Sequence, residues 1–294
     1  NHFFRPINYE AKKSPENGTP YWSVRMIDTI EKKANLMMKF VSLTFLISTT
    51  FSQSSHKLTK TNLYLEETNK ITSDGKVSFS LIGDWGGDQT TGDLTQLNLN
   101  ISESLDKTAP ILDTDFLLLL GDNFYDTGVE NLESDRFDQN FQGMFHPGLE
   151  NLNDMPMWTV AGNHDYKGNV SAQILYTDYD PTGRWRYPNF WYKLPTYSTS
   201  AFSLDIIVID TELMCFKFSI DEIEDLGIDS IEAQWKFFYQ QLDWFENALA
   251  SSTADYIVVA GHKQILSTAD HHLTEELMEW VLPLLKKYGV QLYV

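Results

Sequence analysis

From Val77 onward the chain repeats one pattern, a short apolar run rich in β-branched and aromatic residues that ends on glycine and then a polar side chain. The runs span residues 77–83, 116–121, 157–162 and 256–261, and a fifth, 206–209, reaches Asp210 without the glycine. Apolar runs of this length without polar alternation predict strands covered on both faces, with helices between them. Ile231, Trp235, Phe238, Leu242, Phe245 and Leu249 recur at steps of four and three after a capping residue, Ser230. That spacing predicts a long amphipathic helix packed on a sheet. Leu94, Leu97, Ile101 and Leu105 predict a shorter helix of the same kind. Residues 274–288 predict a last one, bent or interrupted by Pro283. The reading is a layered α/β fold with no internal repeat and no long low-complexity tract.

Composition narrows the function. At 294 residues and 42% hydrophobic, the chain can bury the core of one main domain. Residues 1–53 hold seven Lys and Arg against four Asp and Glu, which leaves 15 basic and 37 acidic residues, a charge of −22, on the rest. A body this acidic repels nucleic acid and anionic membranes. It repels phosphorylated molecules too, unless bound cations reverse the local field. Cys215 is the only cysteine, so neither an internal disulfide nor a thiolate zinc cluster can form, and it reads as a small buried residue.

The amino-terminal stretch reads differently from the body. Residues 1–36 mix charged, aromatic and turn-forming residues without a sustained period and are expected to be upstream or non-structural sequence. Residues 37–52 have the layout of a secretory signal peptide: Met37 or Met38, Lys39, an apolar run over 40–47, then small polar residues through Ser52. A buried strand or short helix is the alternative. The run is well short of the ~20 apolar residues that span a membrane. Residues 53–76 read as a linker and 77–294 as the catalytic domain. Asn17, Asn100 and Asn169 each begin a glycosylation acceptor triplet, which agrees with export.

The polar residues at the ends of the runs carry the chemistry. Ligand sites in α/β sheets gather at the carboxyl edge of the strands, and these ends present Asp84, Asp122, Asn163 with His164, and His262. One Gly-Asp pair alone reads as an ordinary turn. Four such ends in order read as oxygen and imidazole ligands for a pair of metals.

Gly83-Asp84-Trp85-Gly86-Gly87, Gly121-Asp122-Asn123-Phe124-Tyr125 and Gly162-Asn163-His164-Asp165 resemble successive motifs of the tartrate-resistant (purple) acid phosphatases, within the calcineurin-like metallophosphoesterases. The stretches 169–174 and 184–192 resemble the small tartrate-resistant subgroup. The resemblance runs over residues 77–294. It implies two mixed β-sheets packed together and flanked by helices, and a secreted or vesicular hydrolase. Asp84 and Tyr125 would bind Fe(III), Asp122 would bridge, and Asn163 and His262 would bind a second metal, Fe, Zn or Mn. His164 would contact the substrate phosphate, and His271 would give a proton to the leaving alcohol. Asp165 would orient a ligand imidazole. Implied substrates are small phosphomonoesters or phosphoproteins, attacked by a metal-activated hydroxide at acid pH, with a monomer expected and no nucleic-acid or membrane partner. Tyr125 separates this reading from the protein Ser/Thr phosphatases, although a plain core tyrosine would look the same in sequence.

Three departures bear on the resemblance. It calls for a Gly-His-x-His element after the last helix, and residues 290–294 read as that strand cut off before the motif, so five of seven expected ligands are in the sequence. Lys263 and Gln264 stand where Tyr-Pro is expected, which alters the wall beside the second metal. The expected disulfide partner of Cys215 is missing. The acidic loop 221–229 reads either as an overhang of the site or as a solvated loop. His2, His56, His146 and His272 have no matched partner. Two rival readings remain at this level: another metallophosphoesterase, such as a phosphodiesterase or nucleotidase, and a noncatalytic relative that keeps the fold.

Overall fold

The computed structural model describes residues 7–13, 20–26, 70–71, 75–215, 230–268 and 273–294. The signal-peptide reading of 37–52, the acidic loop 221–229, Asn17, His2, His56, His271 and His272 lie outside them.

The apolar runs become strands of two sheets. β4 (Phe79–Ile82), β5 (Phe116–Leu120), β6 (Met157–Val160) and β7 (Trp185–Arg186) pair in that order, all parallel. The second sheet is mixed and centres on β10 (Ser203–Val208). β11 (Tyr256–Ala260) lies parallel beside it, and β12 (Leu292–Tyr293) lies parallel beyond β11. β8 (Tyr192–Lys193) and β9 (Tyr197–Ser198) run antiparallel to β10. β3 (Lys70–Ile71) pairs parallel with β9, so the stretch expected to be a linker supplies an edge strand. Within 1–36, β1 (Ile7–Lys13) and β2 (Pro20–Met26) form an antiparallel pair of their own.

The two sheets share one core. Phe116 stacks on Phe79 of its own sheet and on Tyr197 of the other, with ring centroids 5.0 Å apart in both pairs. The two-residue period of a strand explains the layering. On β10 and β11, Leu204, Ile206, Val208, Val258 and Ala260 join the core between the sheets. Ile207, Ile209, Ile257 and Val259 face the opposite way and pack with Phe238, Phe245 and Leu249. Those three lie on the long helix predicted from the stripe, which spans Ile231–Ser251. Ser230 caps it by accepting from the Ala233 N–H at 3.2 Å.

Two helices differ from the pattern that announced them. In α1 (Gln96–Leu112) the buried positions are Asn98, Ser102, Leu105 and Ala109, while Leu97 is half-exposed. The polar Asn98 is drawn inward because its Nδ2 donates to the Trp85 carbonyl at 3.1 Å, and its Oδ1 accepts from the Thr95 N–H at 2.9 Å. Asn100 therefore sits inside a helix, bonded to Gln96 at 3.0 Å. Asn169 caps the short helix Val170–Tyr176 through the Ala172 N–H at 2.9 Å. Near the carboxyl end, Pro283 does not break the helix. A widened π-turn, Leu277–Val281, precedes Leu282–Lys287, whose first turn holds the proline where no backbone donor is needed.

Phe245 is fully buried between the second sheet and the last helix, whereas Trp235 on the same stripe is 40% exposed. Phe245→Ala should lower unfolding free energy by about 3–5 kcal/mol, and Trp235→Ala by distinctly less. Urea midpoints measured at constant m-value test the contrast; equal losses would contradict this packing.

Candidate metal centre

Each predicted residue stands just past the carboxyl end of a parallel strand. Asp84 follows β4, Asp122 follows β5, Asn163 and His164 follow β6, and His262 follows β11. The site therefore forms where the edges of both sheets converge. Asp84 and Asp122 turn the chain sharply by adopting left-handed backbone, φ 56° and 50°. Aspartate tolerates this region better than bulkier residues do, because its short carboxylate can bond locally.

Close approach explains the glycines. A Cβ on Gly162 would collide with Asp122 Oδ1 and its N–H, and one on Gly121 would lie 2.8 Å from His262 Nδ1 and Gly162 N. Any side chain at either position would push a carboxylate or an imidazole out of the cluster.

The donor atoms do converge. One ligand atom each of Asp84, Asp122 and His262 lie within 4.8 Å of one another. Tyr125, 2% exposed, donates its hydroxyl to Asp84 Oδ1 at 2.8 Å. Asn163 Oδ1 is 3.3 Å from His262 Nε2, and Asp122 Oδ1 is 3.6 Å from the same nitrogen. His262 Nδ1 lies 2.8 Å from the Leu120 carbonyl, which needs a proton there, so Nε2 presents its lone pair to the cluster. The His164 N–H donates to Asp122 Oδ1 at 2.9 Å, and the His164 ring meets Tyr125 edge-on at 4.5 Å. All six predicted residues within the described chain come together; the seventh, His271, is outside it.

The electrostatics suit a cation. Burial, followed by the Asp84 and Asp122 carboxylates, pushes the Tyr125 phenol far up. Burial lowers the His262 imidazole, but Asp122, Glu212, Asp84 and the Leu120 carbonyl outweigh it and the net shift is upward. Two carboxylates converging in this way are mutually unfavourable without positive charge between them, and the amide oxygen and the imidazole add neutral donors suited to a metal.

Asp165 works differently from the expectation. Among the described residues it bonds to no imidazole. Its buried carboxylate accepts from the backbone N–H groups of Asn123 at 3.0 Å, Phe124 at 3.2 Å and Gly162 at 2.8 Å, and from Gln173 Nε2 at 2.9 Å. It thus holds the loops that carry Asp122 and Asn163. Burial, with the Asp122 charge added, pushes its pKa up to about 7 despite those donors.

Other contacts were not legible from the motifs. Arg136 donates to the carbonyls of Gly128 at 2.6 Å, Gly92 at 3.2 Å and Tyr125, and Asn140 donates to Gly86 and Gly92 at 3.0 and 2.6 Å. These bonds fix the loops that carry Asp84 and Tyr125. The fifth strand end is no ligand: Asp210 is fully buried, caps Thr211–Cys215 through the N–H groups of Glu212 and Leu213, each at 3.0 Å, and accepts from the Tyr166 hydroxyl at 2.8 Å.

Lys263, beside His262, reaches Glu212 Oε1. The Lys263 N–H donates to Thr211 Oγ1 at 3.0 Å, and its carbonyl accepts from the Tyr293 hydroxyl at 2.6 Å. The departure from Tyr-Pro thus brings a buried partner for the lysine.

Residues 78–294 match the family described as calcineurin-like phosphoesterase. The chain is 35% identical to human tartrate-resistant acid phosphatase type 5 over 219 residues, covering 74% of this chain and 65% of that protein. It is 31% identical to purple acid phosphatase 7 of Arabidopsis thaliana over 230 residues, covering 76% of this chain and 65% of that protein. The chain thus spans a little under two thirds of the length of these relatives. Among solved structures it is similar to one described as "GAP50 the anchor in the inner membrane complex of Plasmodium", with TM-score 0.58 and 27% identity over 74% of this chain and 64% of that one.

Two outcomes follow from these contacts. Lys263→Met strands the fully buried Glu212 carboxylate and should cost about 3–5 kcal/mol, whereas the double variant with Glu212→Gln should recover much of it; a double-mutant cycle by urea unfolding reads the difference. Burial raises the Asp210 carboxyl from 3.8 to about 7. Its neutral form is favoured in the native state, so its contribution to stability is full below the unfolded value of 3.8 and fades as pH rises to about 7. Asp210→Asn should therefore remove a downward slope, up to about 1.4 kcal/mol per pH unit, from unfolding free energy over that window.

Proposed function

The chain belongs to the calcineurin-like phosphoesterase family, and from that premise we propose that it is an acid phosphatase hydrolysing phosphomonoesters at a two-metal centre. The observation that carries the reading is the convergence of the Asp84, Asp122 and His262 donor atoms within 4.8 Å, with the Tyr125 phenol bonded to Asp84.

The donor set fits such a centre. Asp84 and Tyr125 would hold Fe(III), Asp122 would be shared, and Asn163 and His262 would hold the divalent metal, Fe, Zn or Mn. Metals there supply Lewis acidity and positive charge for phosphoryl transfer. The protein's own groups do the rest. Burial and two carboxylates oppose the phenolate, so Tyr125 would ionise only when a bound cation takes the place of its proton, which would pass to solvent. His164 meets the substrate phosphate from the rim of the cluster. His271 gives the proton to the leaving alcohol, a role that suits imidazole below its ordinary pKa of ~6.5. Asp165 keeps the loops of Asp122 and Asn163 in register.

The acidic body, −22 outside residues 1–53, favours small phosphomonoesters or phosphoproteins over nucleic acid or anionic membranes. Export to the cell exterior or an acidic vesicle, with glycosylation, accords with the signal-like run at 37–52. No described helix is long and apolar enough to cross a membrane. The protein would act as a monomer.

One observation favours a second reading, a noncatalytic scaffold that keeps the fold: the similar solved chain is described as an anchor. Metal content separates the two. A phosphatase should take up two metals per chain and turn over p-nitrophenyl phosphate faster than its diester, whereas a scaffold should do neither. The iron-loaded protein should show a violet tyrosinate absorption band, and Tyr125→Phe should abolish it while iron stays bound. A fully loaded but colourless wild type would overturn the Fe(III)–Tyr125 assignment.

A further inference from the structure

Two charged residues that no motif assigns stand beside the His164 ring. Asp126 follows Tyr125 in the loop after β5, and Lys167 closes the turn Asp165–Lys167 after β6. They are 41 positions apart, yet Lys167 Nζ donates to Asp126 Oδ1 at 2.7 Å. His164 Nδ1 faces Asp126 twice, with the carbonyl oxygen at 2.7 Å and Oδ1 at 2.9 Å. Lys167 Nζ lies 3.0 Å from the same nitrogen.

These distances decide the tautomer. A lone pair on Nδ1 could accept from Lys167, but it would set two oxygens against that lone pair at closer range. A proton on Nδ1 satisfies both oxygens, and Lys167 keeps its bond to the carboxylate. Asp126 and Lys167 are each 40% exposed, so either side chain alone would be free to swing into solvent. Bonded to each other, they stay against the ring. The far side of the ring is already fixed by the edge-on Tyr125 contact and by the His164 N–H on Asp122.

We propose that Asp126 and Lys167 are positioning residues for His164, which hold its imidazole with the proton on Nδ1 and so leave Nε2 as the ring atom for a substrate phosphate oxygen. The substrate half of this assignment rests on the role given to His164 above; the tautomer half does not.

Long-range proton–nitrogen correlation spectra of the full chain, metal-free and at about pH 8, well above the ordinary imidazole pKa, read the tautomer directly. Wild type should show a pyrrole-type Nδ1 and a pyridine-type Nε2 at His164. Asp126→Ala and Lys167→Met should each move His164 toward a mixture of tautomers, and Lys167→Arg should restore the wild-type pattern. Unfolding midpoints should stay unchanged, because exposed ion pairs add little stability. In metal-loaded protein the first two variants should lose about fivefold in kcat/KM on p-nitrophenyl phosphate, with Lys167→Arg near wild type. A wild-type ring protonated on Nε2, or variants that keep the wild-type tautomer, would overturn the proposal. Absence of turnover in every form would count against the phosphatase reading instead, and the spectra would still decide the positioning role.

Discussion

The Asp165 carboxylate ties together the parts of the structure on which the site depends. It lies with no exposure to solvent, and its oxygens gather backbone N–H groups from Asn123, Phe124 and Gly162 together with the Gln173 amide. Those donors belong to the loop that follows Asp122, to the turn that precedes Asn163, and to the helix behind them. A buried carboxylate is costly unless such donors meet it. The loops that carry Asp122 and Asn163 therefore cannot drift apart without stranding it. Asn123 extends the same network, its amide donating to the Val160 carbonyl at 2.8 Å and accepting from the Trp85 indole at 3.0 Å, so the Asp84 loop is held as well.

On this framework the site concentrates opposing terms. Left-handed backbone at Asp84 and Asp122 and backbone approach at Gly121 and Gly162 are unfavourable for most side chains, and crowding of carboxylates is unfavourable without cations. The surrounding core over-determines the arrangement. Trp85 is fully buried and packs with Phe124, Phe141, Phe145 and Trp185 at 5.5–6.5 Å between centroids. One residue earlier, Asp84 is exposed to the cluster. The Gly-Asp-Trp triplet thus anchors with its aromatic and presents its acid to the cluster. The same logic holds for His262, whose ring is oriented by the Leu120 carbonyl of the other sheet and whose neighbour Lys263 is pinned by Glu212, Thr211 and Tyr293.

Much of the fold was legible because its signals are local. Unbroken apolar runs ending on glycine mark covered strands wherever they occur, and the stripe from Trp235 to Leu249 marks the helix that covers the second sheet. The failures have physical reasons too. The buried face of α1 begins at Asn98 because a hydrogen bond to Trp85, thirteen positions away, outweighs the exposed Leu97. The edge strand Lys70–Ile71 is too short to carry a pattern. Pro283 is accommodated because it falls in the first turn of Leu282–Lys287, just after a π-turn, where no backbone donor is needed.

By itself the sequence marked which residues are candidates to bind a metal, since each lies in a short motif that follows an apolar run. Only the tertiary structure decided how those residues are held. Asp165 turned out to grip backbone rather than imidazole, Asp210 to cap a helix, and Asp126 with Lys167, and Glu212 with Lys263, to pair across 41 and 51 positions. Pairings of that kind leave no period or spacing in the chain, because they depend on strand order and on the convergence of two sheet edges, which exist only once the core has formed.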